Sequence, residues 1–252
     1  MMGIVGGVGD ILLSLEDALK EPEICVITHA EHAGSIFAPF PCTKAKILKL
    51  GVDPLPPGMA FIKRTSYPRI DIPEPYKSLS LVVKHTSSKP IIGIHPFKSK
   101  HAKEFWLRRG VSEADISIDS INRACLEYQD RCTFVVFCSP DEEPSLRALR
   151  IPSVVIANPD LWIGLSLVSS CSLFIGADSA MKTMSCLLRI PSLVFTMNVV
   201  DPAPDLVDLF IGQYARDGVL TSCPLINDDV TSQVIKDFLS NKLNGSSSLL
   251  CS

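Results

Sequence analysis

None of the nine cysteines forms a Cys-x-x-Cys pair, which removes the zinc-knuckle and dithiol-redox motifs that this spacing serves. Residues 1–5 carry no Lys or Arg, and Asp10 arrives too early for an apolar signal core, so no secretory leader is expected. No uninterrupted apolar run reaches the length of a bilayer span. The longest uncharged stretch, residues 161–177, is broken by four serines and two glycines and flanked by Asp160 and Asp178. It reads as a buried helix followed by a buried strand. Metal-ligand spacing is missing as well: His29 and His32, flanked by Cys25 and Cys42, fit no usual zinc pattern, and no metal is expected.

What remains is ordinary globular composition. The chain has 252 residues, 46% apolar and 20% charged, enough for one large domain or two modest ones. The cysteine count is odd, and several cysteines sit in apolar runs, Cys138 among them. That pattern predicts reduced, buried thiols in a cytoplasmic protein. Only the Ser-rich tail, residues 244–252, reads as disordered. The net charge of −3 hides an asymmetry: residues 41–110 hold 14 Lys/Arg against four Asp/Glu. Such a stretch suits phosphate groups, a phospholipid-like surface or nucleic acid. Solvated lysines with no partner account for it equally well.

The second half alternates short, wholly apolar strands with helices. Strands are predicted at 90–94, 133–138, 153–157, 172–175 and 192–195. Helices are predicted at 112–129 with Ser112 as cap, and at 142–149, 159–169, 179–188 and 228–242. Strands apolar at every position indicate a parallel sheet covered on both faces. The first half repeats the scheme in smaller form: strand 1–5, helix 10–20, strand 24–28, helix 35–50, strand 59–62. A Pro- and Ser-rich linker spans 65–89. The expected architecture is α/β, with two facing Rossmann-like, doubly wound parallel-sheet lobes at 1–85 and 86–252. The first lobe is reduced, and a cleft runs between the carboxyl ends of the strands.

Two strand-to-helix turns carry the chemistry. The first is Gly6-Gly7-Val8-Gly9-Asp10. Its glycines permit a tight turn and close approach of a ligand, while Asp10 stands at a helix start, where capping alone would explain it. A dinucleotide fingerprint through Gly3, Gly7 and Gly9 is discounted. Too little chain precedes Gly3 for the required strand, no Tyr-x-x-x-Lys follows, and after strand two Thr28-His29-Ala30 leads only to Glu31, with no ribose-binding acid at the strand end. The second turn is Gly176-Ala177-Asp178-Ser179-Ala180. Small residues there leave the first helical amides bare, and bare amides with the helix dipole suit a diphosphate. Asp178 also reads as a plain cap.

Together these turns resemble the heptosyltransferase family, family 9 of the glycosyltransferases, which has the GT-B architecture. Its first strand ends in a Gly-(small)-Gly-Asp turn, matched by Gly7-Val8-Gly9-Asp10. Its second signature, Gly-x-Asp-[Thr/Ser]-Gly-x-x-His-x-Ala-Ala-Ala-x-Gly-x-Pro, is matched without a gap from Gly176 to Pro191, and on to Phe195. Looser matches are Ile92-Gly-Ile-His95-Pro96 with Lys103 and Trp106 beyond it, and the acidic loop at Glu142 and Glu143. Thr183 stands in place of the family His, Ala180 in place of Gly, and Phe97 in place of the Gly after His-Pro. The first lobe is also shorter than usual.

The resemblance implies inverting sugar transfer from a nucleotide-diphosphate sugar, heptose included, without metal or cofactor. Asp10 would be the general base. The substrate side would be lined by Gly7, Gly9, Gly176, Asp178, Ser179, Ala180 and Thr183. His95 would contact phosphate, or stand as a core histidine at its strand end. Lys103 would supply the cation, with Lys98 and Lys100 close by, and Glu142 or Glu143 would hold the ribose. Asp178 would orient its loop or touch the donor sugar. The acceptor would be an anionic glycan, a lipid-linked sugar or nucleic acid, with peripheral membrane contact. The competing expectation is a catalytically idle GT-B-like module that binds a nucleotide-sugar or serves as a partner subunit.

Overall fold

A strand that is apolar at every position must bury both of its faces, and the second half of the chain does so by alternation. The computed structural model of the chain describes residues 1–30, 33–62, 70–74, 76–79, 87–98, 103–104, 107–108, 114–157, 160–196 and 212–244. In β5 (Ile91–His95) every residue is buried. Ile92 and Ile94 enter one core, and Ile91 enters the core on the opposite face. β6 (Thr133–Cys138) divides in the same way, with Phe134, Val136 and Cys138 on one side and Val135 and Phe137 on the other. Each such side chain removed from water contributes about 1.5–3 kcal/mol.

The second sheet adds β7 (Ser153–Ala157), β8 (Leu173–Ala177), β9 (Ser192–Thr196) and β10 (Leu220–Pro224), all parallel, in the order β10-β9-β8-β5-β6-β7. Counted within the lobe, this is the 3-2-1-4-5-6 order of a Rossmann sheet. Its helices are α3 (Ile118–Cys125), α4 (Leu161–Val168), α5 (Ala180–Leu187), the short α6 (Gln213–Arg216) and α7 (Asp228–Leu243). Asp160 caps α4 by accepting from Ile163 N at 3.0 Å, and Asn227 caps α7 by accepting from Val230 N at 2.9 Å.

The first sheet holds β1 (Met2–Val5), β2 (Glu23–Thr28), β3 (Lys44–Lys49) and β4 (Ala60–Phe61), parallel, in the order β3-β2-β1-β4. α1 (Val8–Leu13) and α2 (Leu15–Ala18) follow β1. One face packs Ile4, Ile24 and Val26 against these helices. On the other, Cys25, Ile27 and Leu48 are met by Leu50 and Met59 from the chain joining β3 to β4. A linking segment stands where a full doubly wound lobe carries a helix, which is the sense in which this lobe is reduced.

Several local expectations are corrected. The helix predicted at 35–50 is a single 3-10 turn (Ala33–Phe37) followed by β3. Pro39 and Pro41 stop any helix there, and the lysine-rich segment pairs with β2 from Glu23↔Lys44 to Thr28↔Lys49. The helix expected from 112 begins at Ile118, where Ser117 Oγ accepts from Asp119 N at 3.2 Å; Ser112 lies outside the described residues. The helix at 142–149 is a 3-10 turn, Glu143–Ala148. β7, expected to be buried, is an edge strand with Val154 56% exposed. β10 and α6 were not expected. The lobe division near residue 85 also falls outside the described residues. None of the described cysteines is in a disulfide, and all but Cys42 are buried. Among the described residues no helix is long and apolar enough to cross a membrane.

α5 ends in a Schellman turn: Arg189 N donates to Cys186 O at 3.0 Å and Ile190 N to Ser185 O at 2.9 Å. The left-handed position after the helix belongs to Arg189, at φ 59°, where the family signature has Gly. Its guanidinium lies 5.0 Å from the centre of the Tyr214 ring and 3.1 Å from Asp217 Oδ2. Those contacts offset a backbone strain of about 1–2 kcal/mol.

The lobes do not hang apart. One core runs from Ile11, Leu12 and Ile36 in the first to Leu165, Met184 and Tyr214 in the second. Trp162 sits in it, 1% exposed, donating Nε1–H to Ser35 O and Ile36 O, both at 3.2 Å. The rings of Phe40 and Tyr76 pack on it at 5.6 and 6.2 Å.

Candidate active site

Rossmann sheets bind ligands where the strand order reverses, beyond the carboxyl ends of the strands on either side. In the second sheet that point lies between β5 and β8, which end in His95 and Ala177, with His95 in register with Gly176. In the first sheet it lies between β1 and β4, beside the turn that begins at Gly6. Both turns singled out from the sequence therefore open at a switch point.

The first turn is closed by its own carboxylate. Gly7 is the N-cap of α1, and Asp10, at the third helical position, accepts from Gly7 N with Oδ2 at 2.9 Å. That is the acidic half of a capping box. Gly6 has φ +142°, and a Cβ there would stand 2.3 Å from Asp10 Oδ2. Only glycine fits so close to the carboxylate.

The second turn leaves its helix uncapped by its own serine. Ser179 is the N-cap of α5 but makes no side-chain bond to it. Its Oγ lies instead 3.1 Å from His95 Nδ1. Burial pushes the His95 imidazole down to about 4, against the opposing pull of the Asp115 carboxylate. The ring is therefore neutral near pH 7 and meets Ser179 as one half of a neutral hydrogen bond.

Lys182 was not singled out from the sequence. It lies one turn into α5 and pairs with Asp178 Oδ1 at 2.6 Å, its side chain 12% exposed and that of Asp178 40%. Burial disfavours the ammonium, but the Asp178 carboxylate outweighs this, with smaller contributions from Cys186 and Asp10, and the pKa of Lys182 is raised. Asp178 shows the complementary shift: burial raises it, yet Lys182 and then Lys98 bring it below its ordinary value. The Asp178–Lys182 spacing of four residues at a helix start was the sequence signal for this pair.

The two turns meet. Gly9 faces α5 so closely that a Cβ on it would stand 2.8 Å from Thr183 Oγ1 and 3.8 Å from Ala180 Cα. Thr183 is buried in that contact. Asp10, Gly7 and Gly9 are thus gathered beside Asp178, Ser179, Ala180, Lys182 and Thr183, with His95 bonded to Ser179. Lys98 joins through its charge on Asp178; it is 2% exposed, and its amide donates to Asp115 Oδ1 at 2.8 Å. Lys103, the expected cation, is held by Asp115 Oδ2 at 2.6 Å. Glu142 turns onto its own loop, accepting from Ser139 N at 2.8 Å, and Glu143 lies on the wall of a cavity of about 400 Å³ beside β7. Lys100 and Trp106 lie outside the described residues. Among the described residues no cluster of three or more His, Cys, Asp or Glu side chains could hold a metal.

No family model matches the sequence, and no curated protein matches it. Solved structures match its fold. The ADP-heptose LPS heptosyltransferase II of E. coli superposes with a TM-score of 0.64 at 14% identity, covering 98% of this chain and 99% of that one. The family 9 glycosyl transferase of Veillonella parvula gives 0.64 at 11% identity, with 97% of each chain covered. The chain therefore shares, along nearly its whole length, the two-lobed α/β fold of these glycosyltransferases.

Proposed function

We propose that the chain is a glycosyltransferase that moves a sugar, heptose by resemblance, from a nucleoside-diphosphate sugar to an acceptor hydroxyl with inversion and without a metal ion. The observation that carries this reading is the meeting of the two turns: Gly9 lies against Thr183, and Lys182 feels both Asp178 and Asp10. A proton-accepting carboxylate and a helix start suited to phosphate thus belong to one junction between the lobes. In the reaction, the acceptor oxygen forms its bond to the anomeric carbon as its proton passes to Asp10. The bond from that carbon to the diphosphate oxygen breaks, and the leaving charge is met by the first amides of α5. Neutral His95, bonded to Ser179, keeps that hydroxyl in place beside the amides. Glu142 would hold the ribose, and the basic stretch 41–110 would receive an anionic acceptor.

A second reading has its own support. Asp10 is folded onto Gly7, and Thr183 is sealed against Gly9 where the family carries His. Both features suit a module that binds a nucleotide-sugar and transfers nothing. A thermal-shift screen with nucleoside diphosphates and their sugars, followed by turnover assays, separates the two. Transfer predicts turnover by the wild type, lost in Asp10→Asn with donor binding retained. Donor binding without turnover by the wild type supports the idle module, and a chain that binds no nucleotide refutes both. Acceptor binding that weakens as salt rises is expected for an anionic acceptor.

A further inference from the structure

A lysine in the first turn of a helix runs against helix chemistry, because that end of the dipole is already positive and favours carboxylates. Lys182 holds the third position of α5 all the same. A local rule broken at a junction between lobes is the expected mark of a functional or strained position. Side chains lean toward the helix N-terminus, and the Lys182 ammonium reaches back past the helix start to Asp178 Oδ1 at 2.6 Å. Ser179 gives its hydroxyl to His95 and no cap to the helix. The start of α5 thus combines amides that Ser179 leaves uncapped, a positive dipole and an ammonium, with Asp178 set against them. The cation expected from the sequence, Lys103, is bound by Asp115 instead.

We propose that Lys182 is the cation that receives the donor's diphosphate, exchanging the Asp178 carboxylate for a phosphate oxygen when the nucleotide binds. This rests on the transfer reading above and names the group that reading lacked. In the ligand-free chain Asp178 stands in for the phosphate. It occupies the ammonium until a nucleotide arrives and competes with the phosphate for that charge.

The test titrates ADP, UDP, GDP and dTDP, and the matching nucleosides, into the full-length wild type and three variants. Lys182→Gln is expected to weaken the best diphosphate about tenfold to a hundredfold, as loss of a charge-assisted hydrogen bond does, and to leave nucleoside binding unchanged. Lys182→Arg should retain most of the affinity. Asp178→Asn breaks the same ion pair from the other side and should tighten the diphosphate several-fold, because the internal competitor is gone. A merely structural pair would move both sides in one direction. Diphosphate affinity unchanged in Lys182→Gln, or not increased in Asp178→Asn, overturns the assignment and leaves the transfer reading standing. If the wild type binds no diphosphate, the transfer reading itself fails, and this one with it. Should Lys182→Gln not fold, Asp178→Asn carries the test, with tightening expected and weakening or no change refuting it.

Discussion

Trp162 offers the sharpest test of the claim that the two lobes share one core. Its ring is 1% exposed, and its N–H serves two backbone carbonyls of the first lobe, those of Ser35 and Ile36. Trp→Ala in such a site costs about 3–5 kcal/mol for transfer and cavity together. Two carbonyls losing their donor push the value to the upper end, about 5 kcal/mol. Trp162→Phe keeps most of the packing against Phe40 and Tyr76 and removes only the donor, for about 1–3 kcal/mol. In a chain of this size 1 kcal/mol moves Tm by about 2–4 °C, so Ala is expected to lower it by about 10–20 °C and Phe by about 2–12 °C. Calorimetry with far-ultraviolet circular dichroism is the assay, since the substitution removes a fluorophore. The wild type should melt in one transition, and Trp162→Ala in a broadened or split one as the lobes lose their shared core. An Ala variant within about 1 kcal/mol of wild type, or a Phe variant as damaging as Ala, would refute the argument.

Gly9→Ala should destabilise by about 1–3 kcal/mol through the contact with Thr183 Oγ1, partly offset by better helix propensity. In a Thr183→Ala background the same change should be neutral or stabilising, and additive effects in a chemical-denaturation cycle would show that the two residues do not touch. His95, at about 4 when folded against about 6.5 when unfolded, binds fewer protons in the native state. Its contribution is complete above pH 6.5 and falls by about 3 kcal/mol as the pH drops from 6.5 to 4. His95→Gln should lose this arm of the stability profile, and an unaltered slope between those values would contradict the burial assigned to the ring.

Much of the fold was legible because its signals are local. Strands such as those at 91–94 and 173–177 carry no polar side chain. β3 departs from the helix expected there because it is a lysine-rich edge strand whose identity comes from pairing with β2, a non-local fact. The site divided in the same way. Both strand-to-helix turns stood out by their glycines and carboxylates, whereas the choice between Lys103 and Lys182 depends on which carboxylate each one meets in the fold. Asp115 holds one and Asp178 the other.

Hydrophobic periodicity and turn chemistry alone determined that this chain builds parallel sheets in two lobes and presents two carboxylate-bearing turns. The tertiary structure decided that those turns touch through Gly9 and Thr183, that Ser179 turns from its helix to His95, and that Lys182 is paired with Asp178. Periodicity reports which face of an element is buried. It carries no information on which distant element buries it, and that pairing is settled only when the shared core around Trp162 closes.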